Sequence, residues 1–235
     1  MDKKTQKTIM AIGGHVGDAE LTCGGVLASL ALKGYRVVTV ALTAGERGNP
    51  PHMTVAEYRA QKVNEAEAFA KILGGESVVL PYCDGELPDN DTVRFEVCDL
   101  IRKYRPCALL THWKNSMHKD HCACHRIVKD AQFYAGLASI EREAPAHYAA
   151  GPYYAQNWED ETGFHPYVYV EVSEEGFKLW EKAIETSWFA NNSNSFAYRE
   201  YYSALMRANG LLVRKAYAEA FDIEEHQKKI VKTEF

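Results

Sequence analysis

No stretch of this 235-residue chain approaches the roughly 18 consecutive apolar residues a membrane-crossing helix needs. The opening Met-Asp-Lys-Lys-Thr-Gln-Lys also lacks the apolar segment of a secretory leader. The expectation is a cytoplasmic protein with no membrane span. Positive charge is in short supply too: 27 Lys and Arg face 32 Asp and Glu, for a formal net charge of −5, and the basic residues are scattered. That disfavours a nucleic-acid partner, which needs a concentrated basic field. The six cysteines, Cys23, Cys83, Cys98, Cys107, Cys122 and Cys124, are dispersed through a chain that is 46% hydrophobic and long enough to bury a core without staples. They read as reduced thiols. There is no P-loop lysine motif, and Gly13-Gly14-His15-Val16-Gly17 lacks the spacing of a dinucleotide fingerprint. With no internal repeat or low-complexity segment, residues 1–235 are expected to form a single domain.

What the chain does have is alternation. Short apolar or β-branched runs at 8–13, 35–43, 77–80 and 107–111 predict strands, and helical spacing at 20–33, 54–73 and 91–104 predicts helices between them. Beyond Gly151 the pattern predicts strands at 153–156 and 167–172, then helices at about 173–188 and 196–220. Strand and helix in turn imply right-handed crossovers and a parallel sheet covered on both faces, an α/β three-layer arrangement.

Two polar clusters carry the chemistry, Gly14-His15-Val16-Gly17-Asp18-Ala19-Glu20 and His118-Lys119-Asp120-His121. Each follows a strand-like run, so both belong at the carboxyl edge of one sheet, where open α/β folds place their sites. His15 and Asp18 share a strand-to-helix turn and His121 arrives from another strand end, which matches the three-ligand recipe of a catalytic zinc site with its fourth position open. A competing reading makes Asp18 a helix cap and the histidines ordinary surface residues.

The order of these motifs resembles the PIG-L, or LmbE-like, family of metal-dependent de-N-acetylases, whose signatures are Ala-His-Pro-Asp-Asp-(x)-Glu and His-Pro-Asp-His. Thr43-Ala44-Gly45-Glu46-Arg47-Gly48 resembles the family's Thr-x-Gly-Glu-x-Gly loop, Asp84-Gly85-Glu86-Leu87 its Asp-Gly segment, and Ala218-Glu219-Ala220-Phe221 its closing Ala-Glu-x-Phe. The resemblance implies a Rossmann-like fold with a mostly parallel sheet. It also implies one zinc, or another divalent metal, and hydrolysis of the acetamide of an N-acetylated amino sugar or related small amide. By position, His15, Asp18 and His121 would ligate the metal, which acidifies water and polarises a carbonyl. His118 would face the oxyanion and act as acid/base, and Asp120 would orient and charge its imidazole. Homo-oligomers, trimers or hexamers, are also suggested.

The chain departs from that signature at Gly17, where the family carries the Asp that serves as general base. Three readings follow: the His118–Asp120 pair works alone, another carboxylate such as Glu46 or Glu20 takes over, or the chemistry is lost and a metal- and sugar-binding homologue remains. Arg47 and Asp84, on loops at the same edge, are candidates for substrate hydroxyls, with a loop-fixing ion pair as the alternative. The family's substrate-binding Arg would fall at Lys62, which offers a point charge in place of a fork of donors. Cys122, Cys124 and His125 read as helix-packing residues, since positions so spaced on a helix do not converge. Isolated His112 and His165 are left as surface or core residues, with the pocket mouth as their other possible place.

Overall fold

Ile9, Met10, Ala11 and Ile12 form an unbroken apolar run, and the strand they build, β1 (Thr8–Gly13), is buried along its whole length. That is the mark of a strand covered on both faces. Ile9 and Ala11 point into one core with Leu27, Phe69, Trp180 and Met206, while Met10 and Ile12 point into a second with Val97, Ile101 and Ile127. The computed structural model describes residues 6–229 and 231–232. After β1 come α1 (Asp18–Thr22), α2 (Gly24–Leu32), β2 (Arg36–Thr43), α3 (Val55–Ile72), β3 (Glu76–Tyr82), α4 (Asp91–Tyr104), β4 (Ala108–Thr111) and α5 (Lys119–Gly136). The second half adds β5 (Ala150–Ala155), β6 (Val168–Val172), α6 (Glu174–Ile184), α7 (Trp188–Asn192), α8 (Tyr198–Leu212) and β7 (Tyr217–Asp222).

The seven strands form one sheet in the order β3-β2-β1-β4-β5-β7-β6. From β3 to β5 every pairing is parallel, and β7 runs antiparallel to both its neighbours. The expected α/β class with a mostly parallel sheet is the class found. β1 is flanked by β2 on one side and β4 on the other, so the strand order reverses there, and the crevice outside the carboxyl ends of β1 and β4 is the topological switch point.

Three sequence-based elements are corrected. The helix expected over 20–33 is two, broken at Cys23, where Gly24 packs so close to Trp180 that a Cβ would lie 2.3 Å from its Cδ1. The helix expected to 188 stops at Ile184 and is followed by the short α7. The helix expected over 196–220 ends at Leu212, and residues 217–222 are the strand β7. Its alternation was masked by helix-forming Ala and Glu. In the fold, Glu219 is 5% exposed and accepts the Gly25 and Val26 backbone N–H groups at 2.8 and 2.9 Å, stapling the start of α2 to the sheet.

Candidate metal centre

β1 ends at Gly13, and the chain turns sharply into α1. Gly17 occupies the turn at φ 111°, a left-handed conformation that favours glycine, and its N–H bonds to Glu20 Oε2 at 2.9 Å. The turn folds Asp18 back, so that its Oδ2 accepts the His15 backbone N–H at 2.7 Å. The same oxygen lies 3.2 Å from His15 Nδ1 and 3.3 Å from His121 Nε2, and these two ring nitrogens are 3.2 Å apart. Residues 15, 18 and 121 thus present three ligand atoms to one point. His121 reaches it from the first turn of α5, which begins beyond β4.

The outer nitrogens of the two imidazoles face carboxylates. His15 Nε2 lies 3.2 Å from Asp84 Oδ1 and 3.4 Å from Asp120 Oδ2, and His121 Nδ1 lies 3.2 Å from Glu159 Oε2 and 3.2 Å from Ser116 Oγ. This is the carboxylate–histidine backing that fixes ring orientation behind a metal. Burial disfavours charge on His15, yet Asp18, Asp120 and Asp84 raise its pKa well above the ordinary value. At His121, Asp18 and Asp160 likewise overcome burial and push the pKa up to about 10. Asp18, although buried, is driven well below the usual carboxylate range by His121, His15 and His112. His15 Nε2, Asp120 Oδ1, Glu159 Oε2 and Asp160 Oδ1 are buried without an aligned hydrogen bond. Acids gathered round two imidazoles form a donor set that fits a divalent cation, which would displace the protons those histidines otherwise hold.

His118 caps α5, and its Nδ1 accepts the Asp120 backbone N–H at 3.2 Å. The neutral ring therefore carries its proton on Nε2. Burial, then the charges of His15 and His121, lower its pKa. The Asp120 carboxylate was expected to orient this imidazole. It turns instead to His15 and to the Gly85 N–H at 2.6 Å, because the first turn of α5 directs it inward, and only its backbone holds His118.

The remaining sequence candidates divide. Asp84 reaches the cluster, and Arg47 does not: the Arg47 guanidinium pairs with Glu86 at 2.7 Å at the surface, while its N–H donates to Asp84 Oδ2 at 3.1 Å. Glu46, suggested as a substitute base, spends one oxygen on the Asp84 N–H at 3.0 Å and the other on Arg59 at 3.2 Å. Glu20 is taken up by Gly17. Neither Glu46 nor Glu20 lines the cavity of about 450 Å³ beside the cluster, whereas His15, Asp18, Lys62, Asp84, His118, His121 and Glu159 do, with aromatic walls from Trp158, Trp188, Phe189 and Tyr198. Position 17 has no room for a side chain, since a Cβ there would lie 2.4 Å from Phe189 Cε1.

Sequence reasoning missed Glu159 and Asp160, and gave His112 a surface or core place with the pocket mouth only as the other possibility. His112 is 3% exposed, its Nε2 accepts the Gly14 N–H at 3.1 Å and sits 3.0 Å from Asp18 Oδ2, and its Nδ1 is 3.6 Å from Asp160 Oδ2. Its place immediately after β4, at the same edge as His15, was the available signal.

Fold and site together define an α/β protein with a His/Asp cluster that could hold a metal ion at the switch point of its sheet. A family model described as PIG-L: GlcNAc-PI de-N-acetylase matches residues 10–132, over half of the chain, and the protein belongs to that family. It is 28% identical over 193 residues to a 4-oxalmesaconate hydratase of Pseudomonas putida, covering 75% of this chain and 70% of that one. To a diacetylchitobiose deacetylase of Thermococcus kodakarensis it is 30% identical over 141 residues, 58% and 53% of the two chains. The fold matches the crystal structure of GalB, the 4-carboxy-2-hydroxymuconate hydratase of Pseudomonas putida, with a TM-score of 0.85 at 20% identity, over 98% of this chain and 100% of that one. It matches an N,N'-diacetylchitobiose deacetylase from Pyrococcus horikoshii at 0.79 and 20% identity, over 94% and 85%.

Proposed function

We propose that the protein is a metal-dependent hydrolase that removes an acetyl or other acyl group from the nitrogen of an N-acetylated amino sugar or a related small amide. The observation that carries this is the convergence of His15 Nδ1, Asp18 Oδ2 and His121 Nε2 within 3.3 Å of one another on a cavity wall. These three would hold the cation, zinc in the first instance, and a divalent ion there supplies Lewis acidity toward water and the acyl oxygen. His118, fixed as the Nε2–H tautomer, donates to the acyl oxygen where negative charge develops. Gly17 offers no proton acceptor. The carboxylates lining the cavity beside the cluster, Asp84 and Glu159, face the outer nitrogens of His15 and His121, so the acid/base role stays with His118, as its motif implies. The supporting relatives are named as deacetylases. A cytoplasmic homo-oligomer, trimer or hexamer, is part of the same reading, and sizing with light scattering reads the assembly.

The test is acetate release from a panel of N-acetylated sugars and amides by the zinc-loaded protein. A second reading, addition of water to an unsaturated acid, is favoured by the filled space at Gly17 and by the likeness to a hydratase. Loss of the ultraviolet absorbance of a conjugated acid without acetate release would establish that reading. Bound zinc with neither turnover would leave a binding homologue.

A further inference from the structure

Lys62 lies on α3 and lines the cavity, yet it is only 3% exposed. Its ammonium makes one hydrogen bond, from Nζ to the Val16 carbonyl at 2.6 Å, and sits 4.0 Å from the centroid of the Phe189 ring. Neither neighbour carries a charge. An ammonium has three donors, and taking one out of water without a counter-ion is costly. Among the described residues no carboxylate oxygen comes within 4.0 Å of Nζ. Glu20 is engaged with the Gly17 N–H, and Asp18 and Asp84 with the histidines. Glu65, one turn along α3, accepts from Gln61 with one oxygen, holds the other buried without a hydrogen bond, and acts on Lys62 only from beyond ion-pair distance. A Cβ at position 17 would lie 3.6 Å from Nζ, so an acid there could pair with Lys62, but that volume belongs to Phe189.

We propose that the missing counter-ion is the substrate: the compound this protein acts on carries a carboxylate that pairs with Lys62, while its reacting end faces His15, Asp18 and His121. Lys62 is the one lysine or arginine among the lining residues, so the match is to a single negative charge. A phosphate dianion, better served by an arginine fork, would meet Asp18 and Asp84 on the same wall. The substrate class is therefore narrowed from N-acylated amides in general to N-acylated small carboxylic acids. Burial lowers the Lys62 pKa, the direction expected of an ammonium that lacks its partner. The inference rests on the proposed hydrolysis for the identity of the reacting end only.

Calorimetry with N-acetylphenylalanine and its primary carboxamide, on zinc-loaded and on chelator-treated protein, separates the two claims. The pair differs in one charge. The acid is expected to bind about tenfold more tightly than the amide in both states. Lys62→Met should bring the two affinities together and Lys62→Arg should keep the preference. The Met variant should melt no lower than the parent, because an unpaired buried charge has gone. Equal affinities in the unmutated protein would overturn the proposal whatever the variants do, as would a preference that survives Lys62→Met. The expected preference for the acid, with no acetate released from any member of the N-acetylated panel, refutes the hydrolysis and leaves the anion site standing.

Discussion

Gly17 and Phe189 occupy one volume: a Cβ on the first would stand 2.4 and 2.7 Å from two ring carbons of the second. Glycine at the turn and the aromatic ring from α7 are a matched pair. Gly17→Asp alone should be destabilising, by ~1–2 kcal/mol for the left-handed backbone and about 1–3 kcal/mol more for the collision. Combined with Phe189→Ala, the loss should be smaller than the sum of the single losses, read by thermal unfolding of all four proteins. Strict additivity would show that the two positions do not compete.

Zinc should bind at about one ion per chain through the His15, Asp18 and His121 cluster. At a hundredfold excess over Kd a ligand specific for the folded state adds about 2.7 kcal/mol, which in a domain of this size is a rise in Tm of roughly 5–10 °C. Asp18→Asn and His15→Ala should remove both the ion, by elemental analysis, and the rise. Retention of zinc by both variants would move the site elsewhere.

His118→Ala should lower kcat by about 100-fold to 1,000-fold, the usual consequence of losing a donor to developing negative charge. Zinc content should stay near the parent's, since His15, Asp18 and His121 remain, while stability should fall by about 0.5–2 kcal/mol from loss of the α5 cap. His118→Gln, which keeps an N–H donor, should recover part of the rate. Equal rates for the parent and the Ala variant would remove His118 from the chemistry.

Burial raises the Glu219 pKa from 4.5 to about 8, although the Gly25 and Val26 N–H groups oppose the shift. Between these two values the folded chain holds a proton that the unfolded chain has released, so stability falls as pH rises through that window and levels off above it. Glu20, raised to about 7 by burial, adds a slope of the same sign over a shorter range. Glu219→Gln should flatten the upper part of the profile, measured by urea unfolding at several pH values. An unchanged slope in that variant would show that Glu219 does not titrate as described.

The frame of the site was readable because β1 and β4 end in polar clusters, and a chain that alternates strand and helix must bring those ends to one edge. Residues 15, 18 and 121 meet for that reason. His112 has the same address and was given a surface or core place because it stands outside a recognisable motif. Glu159 and Asp160 reach the cluster from the loop after β5, and the position of that loop depends on β7, whose Ala-Glu-Ala-Phe run carries helix propensity that the sheet overrides. The direction of the Asp120 carboxylate was not legible, since spacing alone does not say whether a side chain in the first helical turn faces its neighbour or the interior. The pairing of Gly17 with Phe189 joins a turn to a short helix far along the chain, and no local pattern announces such a contact.

The placement of β7 between β5 and β6 sets an order on biosynthesis. β6 is made first, yet it touches the sheet only through a segment that leaves the ribosome some fifty residues later (counted roughly from chain positions, as in vectorial folding). Until Tyr217–Asp222 emerges, β5 shows an open edge and the start of α2 lacks the carboxylate that anchors it. A nascent chain paused before that point carries an unpaired strand edge, the kind of surface that chaperones cover.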